Sequence, residues 1–286
     1  MTPSGSVIEA PTATNDAIVA AGRGQLRVVR VGQRSVADQV FATSPLRLLT
    51  PRNHGRAAWI YMSTFGGGLV DGDRIHLDVE VSEGAAAFLA TQASTKVYRS
   101  CCGTTSDTAA RVGPGALLVV LPDPVVCFAS AKYRQVQRFD VDADGSLVLV
   151  DWITSGRHTT GERWQFASYE SALIVSVGGK CVIHDAIALR QNDGDVATRL
   201  GRFNVLATVA IVGRDLASHA ADAIAAAQRD SVSARSGQVI SATPLSDTGC
   251  LVRVAGTSCE SVLHTVRTLL GFVPELLGDS PWSRKW

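Results

Sequence analysis

The sequence predicts a mostly β protein: a long β body followed by a smaller C-terminal α/β portion that carries two helices. Three observations lead there. Between Gln25 and Asn192 short runs rich in β-branched residues recur at near-regular spacing, with turn chemistry between them. No continuous helical period crosses that stretch. Beyond Arg202 two segments take on the three-to-four-residue apolar spacing of helices.

The strand runs are Leu26–Val31, Ala57–Met62, Ile75–Val81, Ala86–Thr91, Ala116–Leu121, Gln135–Val141, Leu147–Trp152, Leu173–Val177 and Lys180–Ile187. Ser82-Glu83-Gly84, Gly113-Pro114-Gly115, Asp142-Ala143-Asp144-Gly145 and Gly178-Gly179 punctuate them. Ile75, Leu77, Val79 and Val81 alternate with His76, Asp78 and Glu80, the period of a half-buried strand. A sandwich, a barrel and a solenoid all fit this texture, and no fixed-period repeat singles out the last. After it, Phe203–Val212 reads as a strand. Asp215 is placed to cap a helix whose stripe is Leu216, Ala220, Ile224 and Ala227. Gln238–Thr243 and Cys250–Val254 read as strands. Thr257 and Glu260 have capping-box spacing and open a helix that buries Val262, Leu263, Val266, Leu269 and Leu270 before Pro274 stops it. The expected division is a mobile N-terminal arm at 1–24, an all-β body at 25–200 and a β-α-β-β-α portion at 201–286 packed on that body.

Composition narrows the function classes. Apolar residues make up 46% of the 286 and charged residues 19%, which excludes a disordered chain. A net charge of +1 offers no basic field for nucleic acid or anionic lipid. No apolar run approaches the ~20 residues of a membrane span. The first 24 residues show no positively charged start and no clear apolar core of a secretory signal, so the cytoplasm and reduced thiols are the expectation. The six cysteines form no C-x-x-C pair.

Three segments concentrate chemistry-bearing residues. Phe65 to Asp73 holds the glycine run Gly66-Gly67-Gly68, then Gly72 and Asp73. It leads into a strand and lacks a Gly-Lys-Ser/Thr ending, so it reads as a turn permitting close backbone approach rather than a phosphate loop. Thr95-Lys96-Val97-Tyr98-Arg99 brings two basic side chains and a phenol, with no nucleophile–base pair beside them. Asp151, Gly156, Arg157, Gly161 and Glu162 surround a loop between strands. Arg157 and Glu162 can pair there as a structural device, or a carboxylate can line a cation path. Histidines at 54, 76, 158, 184, 219 and 264 give no closed zinc spacing. Adjacent Cys101 and Cys102 leave a transient soft-metal site open.

In this order the segments resemble the urease accessory protein UreD (UreH) family, from about Gly24 to Trp286. Gly67, Gly68, Leu69, Val70, Gly72 and Asp73 are similar to the family's Gly-Gly-apolar-apolar-x-Gly-Asp. Thr95, Lys96, Tyr98 and Arg99 fall on its Thr/Ser-Lys-aromatic-Tyr-Arg, with Val97 in place of the aromatic found in many members. Leu121-Pro122 matches its strand-opening Leu-Pro, and Asp151, Gly156, Arg157, Gly161 and Glu162 match Asp-x4-Gly-Arg-x3-Gly-Glu. Pro281, Arg284 and Trp286 fit its tail.

The resemblance implies an elongated, helically wound β body with two helices and no catalysis of its own. It implies a chaperone or scaffold that binds apo-urease and, through UreF, recruits the GTPase UreG, so that nickel enters the urease active site. A two-fold complex with UreF is one arrangement it allows. It also implies a channel for nickel(II), with no tightly bound cofactor. Asp73, Glu162 and, less directly, Asp151 are then the residues to line or order that path. Gly67, Gly68, Gly72, Lys96, Tyr98, Arg99, Gly156, Arg157 and Gly161 become structural or partner-facing. Scattered carboxylates suit transit, because strong His/Cys clusters would trap nickel. The competing readings are a sugar- or ligand-binding β module and a small hydrolase using Asp151, His158 and Glu162. The first lacks an aromatic platform and the second an activated nucleophile.

Overall fold

The computed structural model describes residues 22–52, 54–229, 233, 235–245 and 249–283. The expectations for an arm over 1–21, and for Arg284 and Trp286 of the tail, lie outside them.

Two antiparallel pairs open the chain, β1 (Gly22–Val31) with β2 (Arg34–Ala42) and β3 (Leu46–Leu49) with β4 (Ala58–Thr64). Then come β5 (Arg74–Val81), β6 (Ala86–Thr91), the short β7 (Thr95–Val97), β8 (Thr104–Val112), β9 (Leu117–Val120), the short β10 (Val125–Cys127), β11 (Lys132–Val141), β12 (Ser146–Thr154) and β13 (Ser168–Val177). β14 (Lys180–Arg190), α1 (Val196–Leu200), β15 (Val205–Val212), α2 (Ala217–Arg229), β16 (Gln238–Pro244), β17 (Gly249–Gly256), α3 (Cys259–Leu269) and α4 (Val273–Leu277) complete it.

The strands form two sheets. The first runs β14-β13-β11-β8-β5-β1-β2, and the main path of the second runs β16-β17-β15-β12-β9-β6-β4-β3. Within the first, β5, β8, β11 and β13 are parallel neighbours; within the second, β4, β6, β9 and β12 are. From β4 to β13 the longer strands alternate between the sheets, so the chain winds as a coil that lays one strand in each sheet per turn. Parallel strands need a long crossover; here the crossover from each strand to the next in its sheet is a strand of the other sheet.

The strand textures say which sheet is which. β5 alternates exposed and buried residues because its outer face meets water. β6 and β9 are buried throughout, because the second sheet is covered on both faces. One core joins the sheets, with Ile60, Leu89, Leu118 and Leu149 from the second facing Leu77, Val79 and Phe139 from the first. A second core lies between the outer face of the second sheet and the helices. There Trp59, Phe88, Val119 and Val209 meet Ala220, Val262, Val266 and Leu277. β15, β17 and β16 extend the second sheet antiparallel from β12.

Several local expectations give way. β8 escaped the apolar alternation because its inward residues Ser106 and Thr108 are polar, and β2 because it is a largely exposed edge strand. β1 starts at Gly22, so residues 22–24 are strand. Asp215 lies inside a 3-10 turn, Arg214–Leu216, that runs into α2; the N-cap of that turn is Gly213, not Asp215. α3 is capped one residue later than the Thr257 spacing predicts: Ser258 is the N-cap and accepts from the Ser261 amide. Pro274 opens the short α4 near its first turn, where a missing N–H costs nothing.

The inter-sheet core supplies a direct test. Leu149 has no exposed surface and sits mid-strand between the sheets. Leu149→Ala is expected to lower the unfolding free energy by about 2–5 kcal/mol, read by urea denaturation.

Candidate functional site

A coil of this kind has two unlike edges. Where the chain passes from the first sheet to the second it uses tight glycine turns, Ser82–Ala85, Gly113–Ala116 and Asp142–Gly145. These stack through Gly84 N to Pro114 O (2.9 Å) and Gly115 N to Asp144 O (3.1 Å). Where it passes back it uses the longer loops at 65–73, 92–103, 121–131 and 155–167. All three segments singled out in the sequence lie on this loop edge.

The glycine segment begins as a 3-10 turn, Phe65–Gly67, with Gly66 at φ 74° and Gly67 at φ 71°. Gly72 also has positive φ, 85°. Gly68 is extended, and its need for glycine is steric: a Cβ would lie 2.6 Å from Tyr98 Cε2 and 2.7 Å from Lys96 O. The next residue is therefore stitched to the β7 loop, with Leu69 N donating to Lys96 O (2.8 Å) and Tyr98 N to Leu69 O (2.9 Å). Asp73 closes its own turn, accepting from Val70 N at Oδ2 (2.8 Å). Asp71 Oδ1 accepts from the amides of Cys102 (2.8 Å) and Gly103 (2.9 Å). The side chains of Lys96 and Arg99 are on the exposed side of this loop.

Tyr98 leads to the third segment. Its ring stands edge-on to Phe128 at 5.1 Å, and the Arg157 guanidinium lies 4.3 Å over the same Phe128 ring. Arg157 Nε donates to Glu162 Oε2 (3.0 Å) and Nη2 pairs with Oε1, while Ala129 N donates to Oε2 (3.2 Å). The Arg157 hydrogen bonds hold the Glu162 carboxyl below its ordinary pKa. Gly156 (φ 104°) passes against Cys127 O, and Gly161 (φ 81°) ends the 3-10 turn His158–Thr160, which folds Glu162 back onto Arg157. One continuous rim thus joins the glycine segment, Tyr98, Phe128 and the Arg157–Glu162 pair.

Behind the rim, between the sheets, lies a cavity of about 220 Å³. It reaches the surface near Gly67, Gln92 and Ala93, which are exposed. Its lining is largely apolar, with Leu46, Leu69, Ile75, Leu89 and Val120, but one polar group is set into it: Ser106, Thr108, Gln135 and Gln137 from the first sheet and Asp151 from the second. Gln135 Nε2 donates to Asp151 Oδ1 (2.7 Å) and Ser171 Oγ to Oδ2 (2.8 Å), while Tyr133 OH donates to Gln135 Oε1 (3.2 Å). Burial, with Asp185 adding a smaller like-charge effect, pushes the Asp151 carboxyl above its usual pKa; the two hydrogen bonds oppose this.

The three carboxylates marked in the sequence are therefore placed differently. Asp151 lines the cavity, whereas Asp73 and Glu162 belong to the rim and are held by their own partners. Among the described residues Asp151, His158 and Glu162 share no hydrogen bond: Asp151 is held by Gln135 and Ser171, and Glu162 by Arg157 and the Ala129 amide. Among the described residues no three His, Cys, Asp or Glu side chains gather as a metal-binding group. Cys101 and Cys102 are exposed and reduced, and burial pushes the Cys127 thiol far up. Gln135, Gln137, Ser106, Thr108 and Ser171 were not marked in the sequence. The one available signal was Gln135 and Gln137 alternating with outward residues where a core strand carries apolar side chains.

Comparison with known proteins follows the same residues. Residues 20–286 match the model of the UreD urease accessory protein family. A urease accessory protein UreD from Sorangium cellulosum (strain So ce56) is 48% identical over 93% of this chain and 85% of its own. One from Anaeromyxobacter sp. (strain Fw109-5) is 41% identical over 92% and 89%, and urease accessory protein D from Oryza sativa subsp. indica is 35% identical over 93% and 97%.

Two expected outcomes test this geometry. Gly68→Ala forces the glycine segment off the β7 loop; it is expected to cost roughly 1–3 kcal/mol and to open 65–73 to limited proteolysis. The two carboxylates respond to pH with opposite sign. Asp151 has a folded pKa above its unfolded value of 3.8, so its stabilising contribution is present below that value and is lost as pH rises through the folded pKa. Asp151→Asn, which keeps the Gln135 bond and never ionises, should therefore gain stability over the parent protein from about pH 4 upward. Glu162 has a lowered pKa, so its contribution is present above its unfolded 4.5 and lost as pH falls through the folded value. Glu162→Gln should be less stable than the parent protein at neutral pH, with the difference closing on acidification. Urea denaturation series across pH check both.

Proposed function

The chain belongs to the UreD family of urease accessory proteins, and on that premise we propose that it binds apo-urease and passes nickel into its active site through the β body. The family is one of accessory factors rather than enzymes, with a role in urease maturation. In the proposed assembly UreF joins this chain to the nickel-carrying GTPase UreG, in a two-fold arrangement in the cytoplasm. A net charge of +1 suits a protein partner better than nucleic acid, and no helix of the described residues is long and apolar enough to cross a membrane.

The observation that carries the nickel reading is the polar group set into the otherwise apolar wall of the inter-sheet cavity. Nickel(II) travels hydrated, and a conduit must replace part of that shell without holding the ion. Amide and hydroxyl oxygens of Gln135, Gln137, Ser106 and Thr108, with one carboxylate at Asp151, are weak oxygen donors for a metal that binds nitrogen and sulfur more tightly. A cation entering there would favour the ionised form of Asp151 against the burial that opposes it. Asp73 and Glu162 order the mouth: the first sets the turn after the glycine run, and the second pins the Gly156–Gly161 loop through Arg157. Lys96 and Arg99, exposed at that mouth, are positioned to meet a protein partner.

The test is urease activity together with nickel per active site in cells that carry apo-urease and the other accessory proteins, at limiting nickel. Without this chain both should be low, and both should return with it. Asp151→Ala, in a complex that still co-purifies with urease, should lower nickel per site several-fold. Asp73→Asn and Glu162→Gln should lower it less. Full nickel loading with Asp151→Ala would end the conduit reading, and full activation without the chain would end the maturation reading.

A further inference from the structure

Beyond Asp151, outside the lining of the cavity itself, an ion pair spans the two sheets. Asp151 on β12, Thr208 on β15 and Arg253 on β17 stand opposite one another in register, on the face of the second sheet turned to the first. The row beside it on the same face, Leu149, Ala210 and Leu251, is buried in the inter-sheet core. In the first sheet Thr108, Gln137, Leu173 and Asp185 form the facing row, and its first two members line the cavity. Arg253 Nη2 donates to Asp185 Oδ1 at 2.7 Å, tying β17 to β14 across the gap. The Asp185 side chain is 14% exposed and that of Arg253 47%, so the guanidinium covers the carboxylate from the solvent side.

This pair changes what the space beside Asp151 can hold. Asp185 and Asp151 already act on one another through charge. Left unpaired, the two carboxylates would join the Thr208 hydroxyl and the Gln137 amide as an oxygen-donor set of the kind that retains a divalent cation. An uncompensated, largely buried carboxylate is costly, and a cation would relieve that cost. Arg253 relieves it in advance with a charge that belongs to the chain. We propose that Arg253 is a built-in counter-ion which keeps the space between Asp151, at the cavity wall, and Asp185, beyond it, from retaining a divalent cation, yielding Asp185 only while one passes. The proposal rests on the conduit reading for its role in delivery, but not for the cation site it would uncover. Arg253 acts through Asp185 and is a positioning residue.

Equilibrium dialysis of the full chain in its accessory complex against nickel(II), followed by metal analysis, tests it. Arg253→Met keeps much of the apolar stem and removes the charge. It should retain about one nickel per chain at free nickel concentrations where the parent protein retains roughly a tenth of that or less. Adding Asp185→Asn should return retention to the parent level. Arg253→Lys should stay near the parent, because it keeps the charge. Urease loaded by the Arg253→Met complex should acquire nickel more slowly. If Arg253→Met does not assemble, Arg253→Gln is read in the same way. Retention unchanged in an assembled Met or Gln variant, or retention that survives Asp185→Asn, would overturn the proposal. The two readings fail separately. Normal delivery by Asp151→Ala alongside raised retention in Arg253→Met removes the conduit and leaves the counter-ion. Blocked delivery by Asp151→Ala with unchanged retention does the reverse.

Discussion

Parallel strands cannot be joined by tight turns within their own sheet, and most of this molecule follows from that constraint. By routing each crossover through a strand of the opposite sheet, the chain needs no helix between β4 and β13. The winding then gives the body its two edges. On one, glycine turns of a few residues stack on each other through backbone hydrogen bonds. On the other, four longer loops lie side by side, so segments 25–30 residues or more apart in sequence become neighbours in space. Gly68 against Tyr98, Tyr98 against Phe128 and Phe128 against Arg157 are links from one loop to the next.

The same register organises the interior. Toward the tight-turn edge the inward rows are apolar: Val81, Val112, Val141 and Val177 stand side by side, and Val79, Ala110, Phe139 and Val175 form the next row. Toward the loop edge they become Leu77, Thr108, Gln137 and Leu173, then Ile75, Ser106, Gln135 and Ser171. Burying such groups without partners would cost several kcal/mol on a scale of about 2–7 per group. Gln135 meets that demand: its amide nitrogen donates to Asp151 (2.7 Å) and Ser171 (2.9 Å), and its amide oxygen accepts from Tyr133 OH (3.2 Å). A polar interior that is hydrogen-bonded yet borders open volume is expensive to build for stability alone, which is why it carries the weight of the functional reading.

Two of the Arg–carboxylate pairs of this body stand in different surroundings. Arg157–Glu162 lies on the rim, where Phe128 fixes the guanidinium plane and the Ala129 amide fixes the carboxylate, so it defines loop shape. Arg253–Asp185 spans the gap between sheets and compensates a charge turned toward the interior. Sequence spacing makes the first pair visible, because its members are five residues apart. The second joins strands 68 residues apart and has no local signature.

The sequence by itself determined the β character of the body, most of the longer strands, the two principal helices and the residues of the loop edge. Each of these has a local physical cause: period-two alternation, turn glycines, apolar helical stripes. It did not reveal β8, whose Ser106 and Thr108 face inward where apolar residues were expected, nor the cap at Ser258, which a one-residue shift in backbone geometry decided. Nor could it show that Asp151 lines the cavity while Asp73 and Glu162 sit on the rim. All three are carboxylates of the glycine-bearing segments that stand out in the sequence. What separates them is strand pairing, since β12 turns Asp151 toward Gln135 and Ser171 of the other sheet. Which face of a sheet is inside, and which side chains meet across it, are long-range facts that arise only when the coil closes.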